Sequence, residues 1–252
     1  ASTPSFDPNN FTDGLSEAEW RVLADDERAP LRNKVIAGEY APGSTFKMMV
    51  ALAALEAGVI TQSTRFFCSG SLTLGDGKFH CWKRTGHGHT DLGKGIVESC
   101  DVYFYEVARR VGIDRIAAMA NRFGLGQSLD LDLPGSRPGL IPTRAWKSAV
   151  IGQRWVMGDT MNSAIGQGFV LATPLQLATM AARIANGGKA VTPYIARDVM
   201  AEDSLSGRAK TPLPDIGVNQ EHLDLIRKAM IRVSNTYRGT AYRARIMVPG
   251  MT

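Results

Sequence analysis

Met48 to Ala57 reads Met-Met-Val-Ala-Leu-Ala-Ala-Leu-Glu-Ala, a segment apolar on almost every side that stops at Gly58. A helix with no polar face has to be buried within a sizeable core, and glycine suits the residue just past its end. At the head of this helix stands a lysine, Lys47, which is costly to bury without a task or a partner. Ser44 lies three residues earlier, in Pro42-Gly-Ser-Thr-Phe-Lys47. Three residues is nearly one helical turn, so a hydroxyl and an amine share one face. A serine needs a base to become a nucleophile, and a desolvated lysine can serve. Pro42-Gly43 predicts a tight turn ahead of Ser44. That turn sets the serine near the positive end of the helix, where backbone N–H groups stabilise an oxyanion. Alone, Ser-x-x-Lys is common by chance.

A chain of 252 residues can bury such a core as one domain or two interleaved lobes. With 44% hydrophobic and 21% charged residues its composition is that of a globular protein, and the net charge of +5 is spread along the chain. No basic stripe points to nucleic acid. No run of 18 apolar residues suggests a membrane span, and no signal peptide is seen. The abrupt opening, Ala1-Ser-Thr-Pro-Ser-Phe-Asp-Pro8, reads as an excised or processed domain.

Residues 1–40 read as loop-rich with a short helix near Glu17–Leu23, and 60–95 as an irregular insertion with short strands. Helices are expected over 97–111 and 113–122, split by Gly112. Residues 127–160 read as mostly loop. Thr173 caps a helix begun by Pro174 and closed at Gly187-Gly188, residues 190–200 read as a strand, and 201–215 as a polar loop. Leu223, Ile226, Met230 and Val233 give one side of a helix over 220–233. No βαβ alternation appears, so a mixed α+β domain with a helical lobe is expected rather than a doubly wound sheet.

A second serine motif, Ser99-Cys-Asp101, follows about 55 residues after the first. By itself Ser-x-Asp is a common helix cap. Next to Ser44-x-x-Lys47 it resembles the second motif of the penicillin-recognising serine acyltransferases. Cys81-Trp-Lys-Arg-Thr-Gly-His-Gly88, Ser99-Cys-Asp-Val-Tyr-Phe-Tyr105, Ile165-Gly-Gln-Gly168, Thr173-Pro-Leu-Gln-Leu177 and Arg238-Gly-Thr-Ala241 extend the similarity over essentially the whole chain, in order. The chain is thereby identified as a member of the elongation-type class B penicillin-binding proteins.

The resemblance implies the serine β-lactamase/D,D-peptidase-like fold, with an antiparallel sheet flanked by helices and an all-helical lobe. It implies a D,D-transpeptidase that cross-links peptidoglycan stem peptides and is acylated by β-lactams. Ser44 would be the nucleophile, Lys47 its general base, and Ser99 a relay towards the leaving amine. Asp101 departs from the asparagine that most of the superfamily carries. The third motif, Lys-Thr/Ser-Gly, is not found. The family puts it just past Val248-Pro-Gly-Met-Thr252, so the domain reads as C-terminally incomplete, and full activity is not expected. Expected partners are a membrane glycosyltransferase and elongation-complex proteins, at the periplasmic face of the bacterial inner membrane, with no nucleic acid. A serine β-lactamase shares fold and motifs, but its Glu-x-x-x-Asn is not seen in the usual place. A silent penicillin-sensing or scaffolding domain is the third reading.

Three cysteines leave one unpaired whatever the pairing. Their spacing leaves open a Cys68–Cys81 disulfide with Cys100 buried, or a metal site. The resemblance implies the latter, with Cys68, Cys81, His87 and Cys100 as ligands to a structural zinc, a closed Cys₃His type. No cofactor is expected for catalysis. His80 and His89 are substitute ligands, and His222 has no role. Trp82 and Trp155 read as packing residues that could also line a groove. Gln167 and Thr173 flank the cleft in relatives, Gly166 and Gly168 mark a tight turn, and Tyr103 and Tyr105 read as core.

Overall fold

The burial of the apolar helix organises everything else. In the computed structural model, which describes residues 3–129, 131, 133–194 and 212–245, the helix runs Lys47–Glu56 (α3), and every residue but Met48 and Glu56 is buried. It follows two N-terminal helices, α1 (Glu17–Ala24) and α2 (Lys34–Ala37). Around it pack α4 (Leu92–Val97), α5 (Asp101–Val111), α6 (Ile113–Arg122) and α10 (Gln220–Asn235). A helix enclosed this way is stabilised by transfer of most of its surface from water, at about 1.5–3 kcal/mol for each large aliphatic side chain.

The insertion holds two small antiparallel sheets. β1 (Phe66–Cys68) pairs with β4 (Gly88–Thr90), and β2 (Ser71–Leu74) pairs with β3 (Gly77–His80) across a two-residue Gly75-Asp76 turn. The mixed α+β class holds, with helices dominating the described residues. Phe79 of β3 stacks edge-on against Tyr105 of α5, and the Tyr105 hydroxyl donates to the His80 carbonyl at 3.1 Å. The hairpin is thereby fastened to α5.

Three segments differ from expectation. The helix expected over 97–111 starts only at Asp101, as α5; Val97 is the last residue of the separate α4. Between them Ser99 adopts φ +51°, and the Glu98–Cys100 corner breaks the helix without glycine or proline. Residues 127–160 are less loop-like than expected. They hold a helical turn, α7 (Arg144–Trp146), a π-type turn over Lys147–Ile151, and the start of α8 (Met157–Ala164). Asp159 makes that start possible by reaching back to the Val156 amide at 2.9 Å, a first-turn carboxylate signal. Residues 190–194 carry no strand, Lys189 forming only an isolated bridge with Asp215. The rest of the expected strand, residues 201–211 of the polar loop and Val248–Thr252 lie outside the described residues. α9 (Pro174–Ala185) begins as expected, with reciprocal Thr173 and Gln176 capping bonds.

Candidate active site

Ser44 lies on a 3₁₀ turn, Gly43–Phe46, that leads directly into α3. A close backbone approach fixes this turn. The Gly43 amide donates to the Gly166 carbonyl at 3.0 Å, and a Cβ at Gly166 would fall 2.2 Å from the Gly43 oxygen. Gly166 has φ +68°, so glycine is required there on both counts. The tight turn read from the sequence is thus the strut behind Ser44.

The two serine motifs meet. The Ser99 hydroxyl donates to Ser44 Oγ at 2.8 Å. Lys47, only 1% exposed, extends its amine to three acceptors: Ser99 Oγ at 2.9 Å, the Ser99 carbonyl at 3.0 Å and Asp101 Oδ1 at 2.7 Å. An ammonium has three protons, and all three are taken. Lys47 and Asp101 form an ion pair, so the buried cation has its counter-charge. Lys47 reaches Ser44 through Ser99; among the described residues the amine makes no direct bond to the Ser44 hydroxyl. That differs from the simple picture of two groups on one helical face. The serine sits in the 3₁₀ turn before α3, and its hydroxyl and the lysine amine meet at the Ser99 hydroxyl.

Asp101 is held from its other oxygen. The Trp82 amide donates to Oδ2 at 2.8 Å, and the Trp82 indole N–H lies 3.0 Å from both the Glu98 and the Ser99 carbonyls. Those bonds brace the left-handed Ser99 corner, a conformation that costs a non-glycine residue about 1–2 kcal/mol. Trp82 is therefore more than the packing residue its type suggested. It is 58% exposed and forms a wall of the cleft. The braces join residues 16 to 19 apart, which no local pattern announces.

A cleft of about 880 Å³ opens over Ser44 and Ser99. Lys78, His80 and Arg84 line one side, with Asn162, Gln167 and Thr240 among its polar walls. Asn162 and Thr240 were not singled out from sequence; Gln167 was. Partial desolvation and the neighbouring Arg84 and Lys78 cations hold the His80 imidazole below its ordinary value. The basic lip favours an anionic substrate. Tyr103 and Tyr105 are buried, as read, and burial pushes both phenols up. Trp155 lies away from this cleft, its indole donating to Thr160 Oγ1 at 2.7 Å.

Behind Ser99, the Cys68, Cys81, His87 and Cys100 side chains converge, all buried, with their ligand atoms within 4.8 Å of one another. All three thiols are free, so the disulfide alternative falls. His87 Nδ1 lies 3.6 Å from Cys68 Sγ and 3.4 Å from Cys81 Sγ. Zinc–sulfur and zinc–nitrogen bonds of about 2.3 and 2.0–2.1 Å at the tetrahedral angle put sulfur and nitrogen about 3.5 Å apart. The donor set fits zinc in kind and in spacing. The Cys81 thiol is drawn down to about 5, chiefly by a hydrogen bond from Cys100, whose own thiol is pushed up in turn. The loop is cinched by Gly86, φ +78°, where a Cβ would fall 2.2 Å from the Cys68 oxygen. Cys100 also caps α5, accepting from the Tyr103 amide at 3.4 Å. His80 and His89 stay outside the cluster.

The penicillin-binding protein transpeptidase domain family matches residues 1–252. A curated relative, the peptidoglycan D,D-transpeptidase MrdA of Salmonella typhimurium, is 39% identical over 251 residues, covering 96% of this chain and 40% of the relative. The chain thus spans about two fifths of that relative's length. Among solved structures it is similar to Pseudomonas aeruginosa PBP2 in complex with WCK 5153, at 40% identity and TM-score 0.87, covering 96% of this chain and 55% of that one. It is also similar to Helicobacter pylori PBP2 in complex with MreC, at 37% identity and TM-score 0.88, covering 96% and 44%.

Proposed function

The chain belongs to the penicillin-binding protein transpeptidase family, and from that premise we propose that it carries the acyl-transfer site of a peptidoglycan D,D-transpeptidase with Ser44 as nucleophile. The hydrogen-bonded series Ser44–Ser99–Lys47–Asp101 is the observation that carries this reading. With the Lys47 amine neutral, the bonds reverse: Ser44 donates to Ser99, and Ser99 to the amine. Attack by Ser44 Oγ on the penultimate D-Ala carbonyl then sends the serine proton through Ser99 to Lys47. Asp101 stabilises the ammonium so formed. Collapse of the tetrahedral intermediate expels the terminal D-Ala amine, which takes that proton back along the same path. An amine from a neighbouring stem then attacks the ester, and the series runs in reverse. The Ser44 amide at the head of α3 supplies an oxyanion donor. A β-lactam enters the same path, its ring amide in place of the D-Ala–D-Ala bond.

Cys68, Cys81, His87 and Cys100 would hold a zinc ion. Bound there it is structural, since four protein ligands leave no open position. These residues fix the Ser99 corner, because Cys100 stands between Ser99 and Asp101. The basic lip of Lys78 and Arg84 receives substrate carboxylates. The whole protein would work at the periplasmic face of the inner membrane with a glycosyltransferase and elongation-complex partners. Relatives described with MreC and within a peptidoglycan synthase complex support that setting. No described helix is long and apolar enough to cross a membrane. The test is incubation with a stem-peptide analogue ending in D-Ala-D-Ala. Release of one D-Ala per acyl-Ser44 supports the reading; release by Ser44→Ala protein overturns it.

A further inference from the structure

Away from the catalytic cleft, a second open cavity of about 780 Å³ lies where α5 ends and α6 begins. Five arginines line it: Arg109, Arg110, Arg115, Arg144 and Arg154. Their opposing charges are few. Arg109 and Arg110 share Glu106, at 3.3 and 2.7 Å, and Arg144 pairs with Asp114 at 3.1 Å. Arg115 and Arg154 have no hydrogen-bond or ion-pair partner among the described residues. Two exposed guanidiniums without an anion, beside three that share two carboxylates, leave a net attraction for acidic groups.

The cavity also has a fixed apolar wall. The Trp155 ring is held by its bond to Thr160 and by the Lys147 amine 5.9 Å from its centroid, and Val156 and Met157 stand exposed beside it. Lys147 is itself anchored by a buried pair with Asp159 at 2.5 Å. One helix joins the two cavities. Met157 and Thr160 of α8 line this one, whereas Asn162 and the following Ile165 line the catalytic cleft. A polymer engaged at Ser44 would have this surface within reach along α8. Guanidiniums spread round an open cavity suit several separated carboxylates better than one compact anion.

We infer that the Arg109–Arg154 cavity binds a carboxylate-bearing stretch of peptidoglycan, holding the polymer at a second point outside the acyl-transfer cleft. This rests on the transpeptidase reading for the identity of the polymer. Each exposed arginine contributes modestly, so affinity comes from several contacts and falls with salt.

The test is fluorescence anisotropy with a labelled, soluble glycan-peptide oligomer, on the chain and on Arg115→Gln/Arg154→Gln. These two arginines bond to nothing described, so the fold is retained, and the rate of penicillin acylation checks it. The double variant is expected to bind about tenfold more weakly. The same oligomer with its carboxylates amidated should bind the unaltered chain as weakly. Acylation should stay within about twofold. Should the double variant lose acylation, each single variant is read instead, with about threefold expected. Equal binding by variant and unaltered chain overturns the inference. So does equal binding of the amidated oligomer, or arginine-dependent binding to anionic phospholipid vesicles without binding to the oligomer. Failure of penicillin to acylate the unaltered chain sinks the transpeptidase reading instead, and arginine- and carboxylate-dependent affinity would survive it.

Discussion

Ser99→Ala cuts the series at its middle. The Lys47 amine loses one of three acceptors and keeps the Ser99 carbonyl at 3.0 Å and Asp101 at 2.7 Å. Ser44 Oγ loses the hydroxyl 2.8 Å away that connects it to the lysine. The backbone corner persists, because the Trp82 indole still reaches the residue 99 carbonyl. One hydrogen bond lost from a buried amine that keeps two others costs about 1 kcal/mol, which lowers Tm by about 2–4 °C. Losing the route for the serine proton is far more damaging. A positioned acid–base relay contributes about 10²- to 10⁴-fold, or about 3–5 kcal/mol of barrier. The assay is the second-order acylation rate constant with a fluorescent penicillin, measured beside thermal unfolding. A rate at least a hundredfold lower with Tm nearly retained is expected. A rate within about threefold of the unaltered protein would mean that Lys47 deprotonates Ser44 without Ser99, and the relay would have to be abandoned.

Further expectations follow from the same contacts. Asp101→Asn leaves the buried Lys47 ammonium without its counter-charge; a loss of about 2–4 kcal/mol in denaturant unfolding is expected, with slower acylation. A variant as stable as its parent would show that the pair is not the lysine's main support. Trp82→Phe keeps the amide bond to Asp101 and removes the indole donor, so about tenfold slower acylation is expected with little change in Tm. An unchanged rate would reduce Trp82 to a cleft wall. Native mass spectrometry is expected to find one zinc per chain, whose chelation lowers Tm; Cys100→Ser should lose both the metal and the chelator effect. Zinc-free protein with chelator-insensitive unfolding would dismiss the metal site.

That Ser44, Lys47 and the second serine motif belong to one site was legible because each is a short pattern with a chemical reason. So was α3, from its unbroken apolar run. Three things were not. The corner at Ser99 contains neither glycine nor proline, and its left-handed backbone is held by Trp82 and Lys47, which arrive from elsewhere in the chain. Asp101 read as a departure from asparagine; its ion pair with Lys47 emerges only when α3 and α5 pack. α8 was hidden because Gly158, Asn162 and Ser163 are poor helix formers. Its support is tertiary, through Met161 and Ala164 in the core. The cluster of Cys68, Cys81, His87 and Cys100 lies between these cases. Spacing left it open, whereas the folded loops bring four donors to one point and leave the thiols unpaired.

Intact-mass spectrometry under denaturing conditions, before and after incubation with a penicillin, tests the acyl-serine assignment most directly. The account predicts one covalent equivalent that persists, maps to Ser44 and vanishes in Ser44→Ala protein. An adduct retained by that variant, or none on the unaltered chain, would contradict it.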